Sequence, residues 1–151
     1  MFSRVLVLCV GNICRSPMAE AMLRERLAGQ AVEVASAGLQ ACVGAPADPH
    51  AQAVLAEARL NIQAHRGCQV TADMLRWAEL VLLMENTQIA QVQHLAPQVR
   101  GKAFLIGKWQ NELQIADPFR KPRKAFQQTF EHLSRCVDDW LPYLTTQEQH
   151  P

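Results

Sequence analysis

The chain has almost no net charge and no long apolar run, and each absence excludes a class of protein. Fifteen basic residues against 14 acidic ones leave a formal net charge of +1, so no overall basic field indicates nucleic acid as a partner. The longest apolar run, 5–10, is far shorter than a membrane span and short for the core of a signal peptide. We therefore expect a cytoplasmic protein that is not embedded in a membrane.

The cysteines lack the pattern of a disulfide framework. There are five, an odd number without paired spacing, which favours reduced thiols. The chain also lacks internal repeats and the Gly-Lys-Ser/Thr of a Walker phosphate loop. A length of 151 residues with 49% hydrophobic residues suits one domain, which we expect to span residues 1–151 as a monomer.

What the chain does have is a regular alternation of strand and helix patterns. The predicted strands are 5–9, 31–36, 79–84 and 102–106. The predicted helices are 17–27, a helix capped by Asp48 and Pro49 that runs to about 59, a short helix capped by Thr71, 86–95, and 123 to about 141. This order predicts a three-layer α/β/α fold: a four-stranded parallel sheet with helices on both faces.

Ligands of such sheets bind at the carboxyl ends of the strands, where Cys9 begins the stretch CVGNICRSP. A loop between a strand and a helix N-terminus can direct N–H groups and the helix dipole at one anion. Gly11 and Asn12 tolerate the left-handed backbone that such a loop needs, and Arg15 offers a planar fork for two oxygens. The Cys-x5-Arg spacing alone is a weak signal, but this context predicts a phosphate cradle with a nucleophilic thiolate, Cys9, at its base.

Extended to CVGNICRSPMAE, this stretch resembles the signature of low-molecular-weight protein tyrosine phosphatases. ADPFRK, residues 116–121, resembles the second motif of that family, an Asp-Pro-aromatic sequence. The segments SAGLQACVG, HRGCQV, LVLLME and APQVRGKAFLIGKWQNE resemble the bacterial branch that serves capsule and exopolysaccharide synthesis. The resemblance covers essentially the whole chain. It implies hydrolysis of phosphotyrosine through a phosphocysteine, no metal or other cofactor, and a membrane tyrosine autokinase as the partner.

The resemblance assigns the chemistry to three residues. Cys9 would attack phosphorus, although most unpaired cysteines at strand ends are core residues. Arg15 would bind the phosphoryl oxygens and stabilise the transition state. Asp117 would protonate the leaving phenolate, although an aspartate before proline is equally common in a turn. The substrate-binding loop residues would be Val10, Gly11, Asn12, Ile13, Cys14 and Ser16.

Further residues fall at family positions that shape the pocket. Phe119 would stack on the substrate ring, where the family more often has tyrosine. Cys42 lies where the family has a hydrophobic or aromatic specificity residue, but a small loop residue is an equal interpretation. Ser36 and His65, with Asn12 and Ser16, resemble the hydrogen-bond network that supports the loop, and Ser16 would also donate to the sulfur of Cys9. The alternative for His65 is an ordinary surface histidine near a loop.

Three other interpretations concern the thiols and charges. Cys14 would form a reversible disulfide with the nucleophile, as a second loop cysteine can in the family, or fill space as a small apolar residue. A zinc site formed by Cys9, Cys14, His65 and Cys68 lacks the usual ligand spacings. We interpret the charged residues of the first helix as its solvated face; they are Glu20, Arg24, Glu25 and Arg26.

Two rival functions remain. An arsenate reductase of the same fold would need a relay of cysteines after the third strand, where the chain has only Cys136, within the last predicted helix. A non-catalytic phosphate-binding or thiol-redox module would keep the cradle and would not need Asp117.

Overall fold

Residues 2–145, the part of the chain that this computed structural model describes, form four β-strands and five α-helices. The strands are β1 (Arg4–Cys9), β2 (Glu33–Gly38), β3 (Leu80–Leu83) and β4 (Ala103–Leu105). The helices are α1 (Arg15–Arg26), α2 (Pro49–Glu57), α3 (Ala72–Trp77), α4 (Asn86–Leu95) and α5 (Arg123–Leu144), with a 3-10 turn at Pro97–Val99.

The strands form one parallel sheet in the order β2-β1-β3-β4. Alternate residues of β1 enter two apolar clusters, one on each face of the sheet. Val5 and Val7 belong to a cluster with residues of α1, α2 and α5, while Leu6 and Leu8 belong to one with residues of α3 and α4. Burial on both faces explains why residues 5–9 of β1 and the whole of β3 are continuous apolar runs. The predicted α/β/α arrangement is therefore confirmed.

The predicted helix caps are also confirmed. The Asp48 side chain accepts a hydrogen bond from the backbone N–H of His50 at 2.9 Å. Thr71 accepts one from the N–H of Met74 at 3.2 Å. Both side chains satisfy N–H groups that a helix start leaves without an internal partner.

Some element bounds differ from prediction. β2 continues to Gly38, because a side chain there would collide with the carbonyl of Val10 and with Ala41, so only glycine lets the strand run beside the first loop. α1 begins two residues earlier than predicted, at Arg15. α5 passes Pro142 and ends at Leu144, since a proline in the last turn removes few helical hydrogen bonds.

Among residues 2–145, no helix combines the length and the apolar character needed to cross a membrane. All four strands are parallel, so their carboxyl ends lie along one edge of the sheet. The loops that follow Cys9, Gly38, Leu83 and Leu105 meet at that edge.

Trp140 connects α5 to the end of β4, and its substitution should be costly. Trp140 is 2% exposed, and its indole Nε1 donates to the carbonyl of Ile106 at 2.8 Å. Trp140→Phe leaves that buried carbonyl without its donor. We expect the free energy of unfolding to fall by about 1–3 kcal/mol, measured by urea denaturation followed by circular dichroism.

Trp109→Phe is the matched control. Trp109 is 42% exposed and stacks on Tyr143, a contact that phenylalanine can keep. We expect a loss within about 0.5 kcal/mol for this variant. Equal losses for the two variants would contradict the importance of the indole hydrogen bond.

Candidate active site

A pocket of about 170 Å³ opens at the carboxyl edge of the sheet. The three predicted catalytic residues Cys9, Arg15 and Asp117 all line it, although Asp117 follows β4, far along the chain. The complete lining is Cys9, Val10, Gly11, Ile13, Cys14, Arg15, Gln40, Cys42, Asp117 and Phe119. Gln40 is the lining residue that the sequence patterns did not indicate.

Each carbonyl from residue 9 to residue 14 accepts a hydrogen bond from outside that segment. The loop after β2 supplies three donors, a ring nitrogen of His65 supplies one, and the start of α2 and the first turn of α1 supply the rest. The pairs are Leu39 N to Cys9 O (2.9 Å), Gln40 N to Val10 O (2.9 Å), Cys42 N to Gly11 O (2.9 Å), His65 Nε2 to Asn12 O (2.7 Å), Asp48 N to Ile13 O (2.8 Å) and Met18 N to Cys14 O (3.2 Å).

These bonds determine where the loop N–H groups point. In a trans peptide the C=O and the following N–H point in opposite directions. Because the carbonyls of residues 9–14 are held outward, the N–H groups of residues 10–15 turn toward the inside of the loop. Several converging N–H groups at a helix start form a site for a tetrahedral anion.

Asn12 holds the loop from within. It is fully buried with a φ of 59°, in the left-handed region that asparagine tolerates better than most residues. Its amide Nδ2 donates to Ser16 Oγ at 2.8 Å and to Ser36 Oγ at 3.0 Å, and its Oδ1 accepts from the N–H of Cys68 at 3.0 Å. Ser36 and His65, the two predicted loop-support residues, therefore both contact Asn12.

Ser16 links this network to the sulfur of Cys9. The Oγ of Ser16 lies 3.0 Å from Cys9 Sγ and already accepts a hydrogen bond from Asn12. Its own proton is therefore available to the sulfur. A hydrogen bond donated to a thiolate favours the charged, nucleophilic form.

The network continues to Glu20, whose placement corrects the sequence-based interpretation. Ser36 Oγ donates to Glu20 Oε1 at 2.6 Å, and Arg24 pairs with Glu20 Oε2 at 2.6 Å. The Glu20 side chain is only 12% exposed, and Arg26 is half-buried against Ser134 of α5. The prediction of a solvated face was wrong for Glu20 and Arg26, because α1 packs against both β2 and α5. It was right for Arg24 and Glu25, which are exposed.

Arg15 is 2% exposed, and its guanidinium is held on one side. Nη1 donates to the carbonyl of Ile115 at 2.8 Å and lies 3.1 Å from Glu85 Oε1. Nη2 lies 3.7 Å from Asp117 Oδ2. Sequence reasoning missed Glu85; the available signal was an acidic residue directly after the third strand, at the edge where ligands bind.

Asp117 and Phe119 form the outer wall of the pocket. Asp117 is 47% exposed, and its Oδ1 accepts a hydrogen bond from the N–H of Phe119 at 3.1 Å. This contact closes a turn around Pro118, so the turn interpretation and the position in the pocket both apply. Cys42 also lines the pocket, and its Sγ lies 3.5 Å from where a β-carbon on Gly11 would be.

A family model described as low molecular weight phosphotyrosine protein phosphatase matches residues 4–150. The chain belongs to this family. Etp, the low molecular weight protein-tyrosine-phosphatase of Escherichia coli strain K12, is 44% identical over 144 residues, which are 95% of this chain and 96% of Etp.

Solved structures show the same likeness. The crystal structure of the tyrosine phosphatase AmsI of Erwinia amylovora is 42% identical with a TM-score of 0.91, covering 97% of this chain and 95% of AmsI. The structure of the tyrosine phosphatase Wzb from Escherichia coli K30, in complex with sulphate, is 36% identical with a TM-score of 0.90. That match covers 95% of this chain and 99% of Wzb.

The other thiols of this phosphatase differ from Cys9 in their surroundings. Burial, with the nearby carboxylates of Asp48 and Asp117, holds the pKa of the Cys14 thiol far above its ordinary value. Burial also raises the pKa of Cys68, and it raises the pKa of Cys136 to about 11. These three thiols are protonated near neutral pH, so they are poor nucleophiles.

A larger groove of about 450 Å³ lies along the outer face of α1. Two of its polar side chains already support residues 9–14 by hydrogen bonds. Glu20 accepts one from Ser36, and His65 bonds the carbonyl of Asn12. Cysteine is absent from the described residues that line it, so we place the chemistry in the smaller pocket. Within residues 2–145, no three His, Cys, Asp or Glu side chains are grouped as a metal site would require.

Glu85 should act as a positioning residue for Arg15. Glu85→Gln removes the charge of the ion pair and leaves the carbonyl of Ile115 as the stronger remaining partner of Nη1. Because a hydrogen bond to a charged group contributes about 1.5–3 kcal/mol, we expect kcat/KM for p-nitrophenyl phosphate to fall roughly 10–100-fold. Glu85→Asp should recover part of the loss.

Gln88→Ala separates this effect from damage to α4. Gln88 bonds the backbone N–H of Glu85 and the Glu85 carboxylate at the start of that helix, and within residues 2–145 it forms no hydrogen bond with Arg15. We expect it to lower the melting temperature more than Glu85→Gln does, with a smaller loss of kcat/KM. The same loss of kcat/KM in both variants would mean that Glu85 acts only through the helix.

Proposed function

We propose that this phosphatase hydrolyses phosphotyrosine in proteins through a phosphocysteine on Cys9, with Asp117 as the general acid. The observation that carries the proposal is the outward hydrogen bonding of the carbonyls of residues 9–14. It leaves the loop N–H groups and Arg15 around one point, next to the sulfur of Cys9. The catalytic unit that we infer is a single domain spanning the chain.

In the first step the Cys9 thiolate attacks phosphorus, and a sulfur–phosphorus bond forms as the phosphorus–oxygen bond to the phenol breaks. The leaving phenolate, of pKa about 10 in water, takes a proton from the Asp117 carboxyl group. The loop N–H groups and Arg15 bind the three remaining oxygens, where charge builds up in the transition state.

In the second step a water molecule attacks phosphorus, and the sulfur–phosphorus bond breaks. Asp117, now a carboxylate, accepts a proton from that water. Inorganic phosphate leaves, and Cys9 returns to the thiolate that Ser16 stabilises by its hydrogen bond. The cycle needs no oxidant or reductant.

The walls of the pocket favour an aromatic phosphate ester. Phe119, Ile13 and Cys42 line it with apolar atoms, and the exposed ring of Phe119 can stack on a substrate ring. The relative Wzb from Escherichia coli K30 was solved in complex with sulphate, a tetrahedral oxyanion, which supports an anion of this shape as a ligand. The names of the relatives Etp and AmsI, both tyrosine phosphatases, support phosphotyrosine as the substrate.

We infer that the protein substrate is a membrane tyrosine autokinase of capsule or exopolysaccharide export. The support is the resemblance of the whole chain to the branch of the family that serves those pathways. We infer that the phosphatase meets the kinase in the cytoplasm and as a monomer. The unpaired state of all five cysteines supports the cytoplasmic location.

Arsenate reduction is less well supported. Such a reductase needs a further thiol that can reach Cys9 and be oxidised with it. Cys136, the one cysteine after β3, is fully buried in α5 among core residues and has a raised pKa. The chain therefore offers no relay from this part of the fold.

Cys9→Ser should abolish turnover, because the variant lacks the thiolate. The loop N–H groups and Arg15 remain, so we expect the variant to keep weak binding of vanadate or phosphate, measured by calorimetry. Rapid acid quenching of wild type with substrate, followed by mass spectrometry, should place one phosphoryl group on Cys9. A phosphoryl group on any other residue, or substantial turnover by Cys9→Ser, would overturn the phosphocysteine.

Asp117→Asn should lower kcat by roughly 10²–10⁴-fold, the range for loss of a general acid. The loss should shrink for aryl phosphates whose phenol is already acidic, because these leaving groups need the proton least. The measurement is a series of aryl phosphates of graded leaving-group pKa on wild type and variant. If the two proteins show the same dependence on leaving-group pKa, Asp117 is not the acid and serves only the turn around Pro118.

A further inference from the structure

The residues directly after the Asp-Pro-Phe sequence carry an unusual concentration of positive charge. Arg120, Lys121, Arg123 and Lys124 occupy four of the five positions 120–124, while the whole chain has a net charge of only +1. All four are exposed. We call residues 120–124 the basic segment.

The basic segment borders the active-site pocket. The guanidinium of Arg120 lies over the ring of Phe119, 5.3 Å from its centroid, and Phe119 lines the pocket. Lys121 lines a small cavity on the other side of Asp117, and its N–H bonds the carbonyl of Pro118 at 2.9 Å. A substrate polypeptide that places a phosphotyrosine on Cys9 must therefore pass close to these charges.

Little of this charge is neutralised within the protein. Among residues 2–145, one member of the segment forms an ion pair, Arg123 with Glu57 at 3.1 Å. Arg123 and Lys124 lie in the first turn of α5, which contains no acidic residue. Cations there oppose the helix dipole, so their charges do not stabilise the helix.

Another border of the pocket contains no lysine, arginine, aspartate or glutamate among its described residues. Val10 and Gln40 are shared between the pocket and a neighbouring groove of about 370 Å³. The rest of that groove consists of Leu39, Gln91, His94 and Leu95. Lys, Arg, Asp and Glu are all absent from this described lining, so this border of the pocket lacks the lysines and arginines that lie on the side of Asp117 and Phe119.

We propose that the basic segment is a docking surface for aspartate and glutamate side chains of the substrate polypeptide that flank the phosphotyrosine. The proposal rests on the proposed function. Exposed charges at the rim of an interface act mainly on the rate of encounter and on its salt dependence. Screening is effective beyond about 10 Å at 0.1 M salt, so the preference should weaken as salt rises.

The test uses three phosphotyrosine peptides of equal length. One has neutral flanks, one has glutamates before the phosphotyrosine, and one has glutamates after it. We expect wild type to show a kcat/KM about 3–10-fold higher for at least one acidic peptide than for the neutral peptide at 20 mM salt. This ratio should approach one at 0.5 M salt, where the Debye length is only a few ångströms.

The variant Lys121→Gln with Lys124→Gln should lose most of this preference. The matched control is Arg100→Gln with Arg135→Gln, which removes the same net charge. Arg100 is exposed and precedes β4, at the edge of the sheet opposite Cys9. Arg135 is exposed and lies 12 residues along α5 from Arg123, about 18 Å of helix. The control should keep the preference of wild type.

Two results would overturn the docking surface while leaving the proposed function intact. One is equal hydrolysis of all three peptides by wild type; the other is the same loss of preference in both double variants. A third experiment measures binding to phosphatidylserine vesicles. If wild type binds them, if only the double variant Lys121→Gln with Lys124→Gln loses this binding, and if wild type shows no peptide preference, the segment is a membrane-binding surface instead. Failure of wild type to hydrolyse any of the peptides would refute the proposed function and, with it, this inference.

Discussion

The outward hydrogen bonds of the carbonyls of residues 9–14 are the constraint on which the rest of the site depends. Besides the first turn of α1, which follows the loop directly, the donors come from the loop after β2, the start of α2 and His65, so three more distant parts of the chain must be in place before the loop has its shape. A buried carbonyl without a donor is costly, so the contacts that stabilise this edge of the fold also turn the N–H groups inward. Stability and anion binding share one set of bonds.

The buried charge of Arg15 imposes a second requirement. A guanidinium removed from water needs partners, and Arg15 has the carbonyl of Ile115 and the carboxylate of Glu85 on Nη1. Those partners hold the side chain before substrate arrives, so a phosphate group meets a fork that is already oriented. Asp117, 3.7 Å from Nη2, is kept near the same point by the Phe119 turn.

The sequence was sufficient for features that are local in the chain. The strand and helix alternation predicted the sheet, and one stretch placed Cys9, Asn12, Arg15 and Ser16 together because they share a single loop and helix start. Glu85 and the buried contact of Glu20 were missed because each depends on which strand lies beside β1. Neighbours in the sheet are separated widely in sequence, and no periodicity encodes their pairing. The extension of β2 to Gly38 likewise depends on the nearby Val10 carbonyl.

Three thiols line the pocket, those of Cys9, Cys14 and Cys42, and their environments differ. Cys9 faces a hydroxyl that can donate to it, at the point toward which the loop N–H groups turn. Cys14 lies in the same loop, yet burial and the carboxylates of Asp48 and Asp117 oppose its ionisation. Cys42 is exposed at the rim, over Gly11. Cys9 therefore differs from the other two thiols in the hydrogen-bond donor that faces its sulfur, a contact that favours the charged form of a thiol.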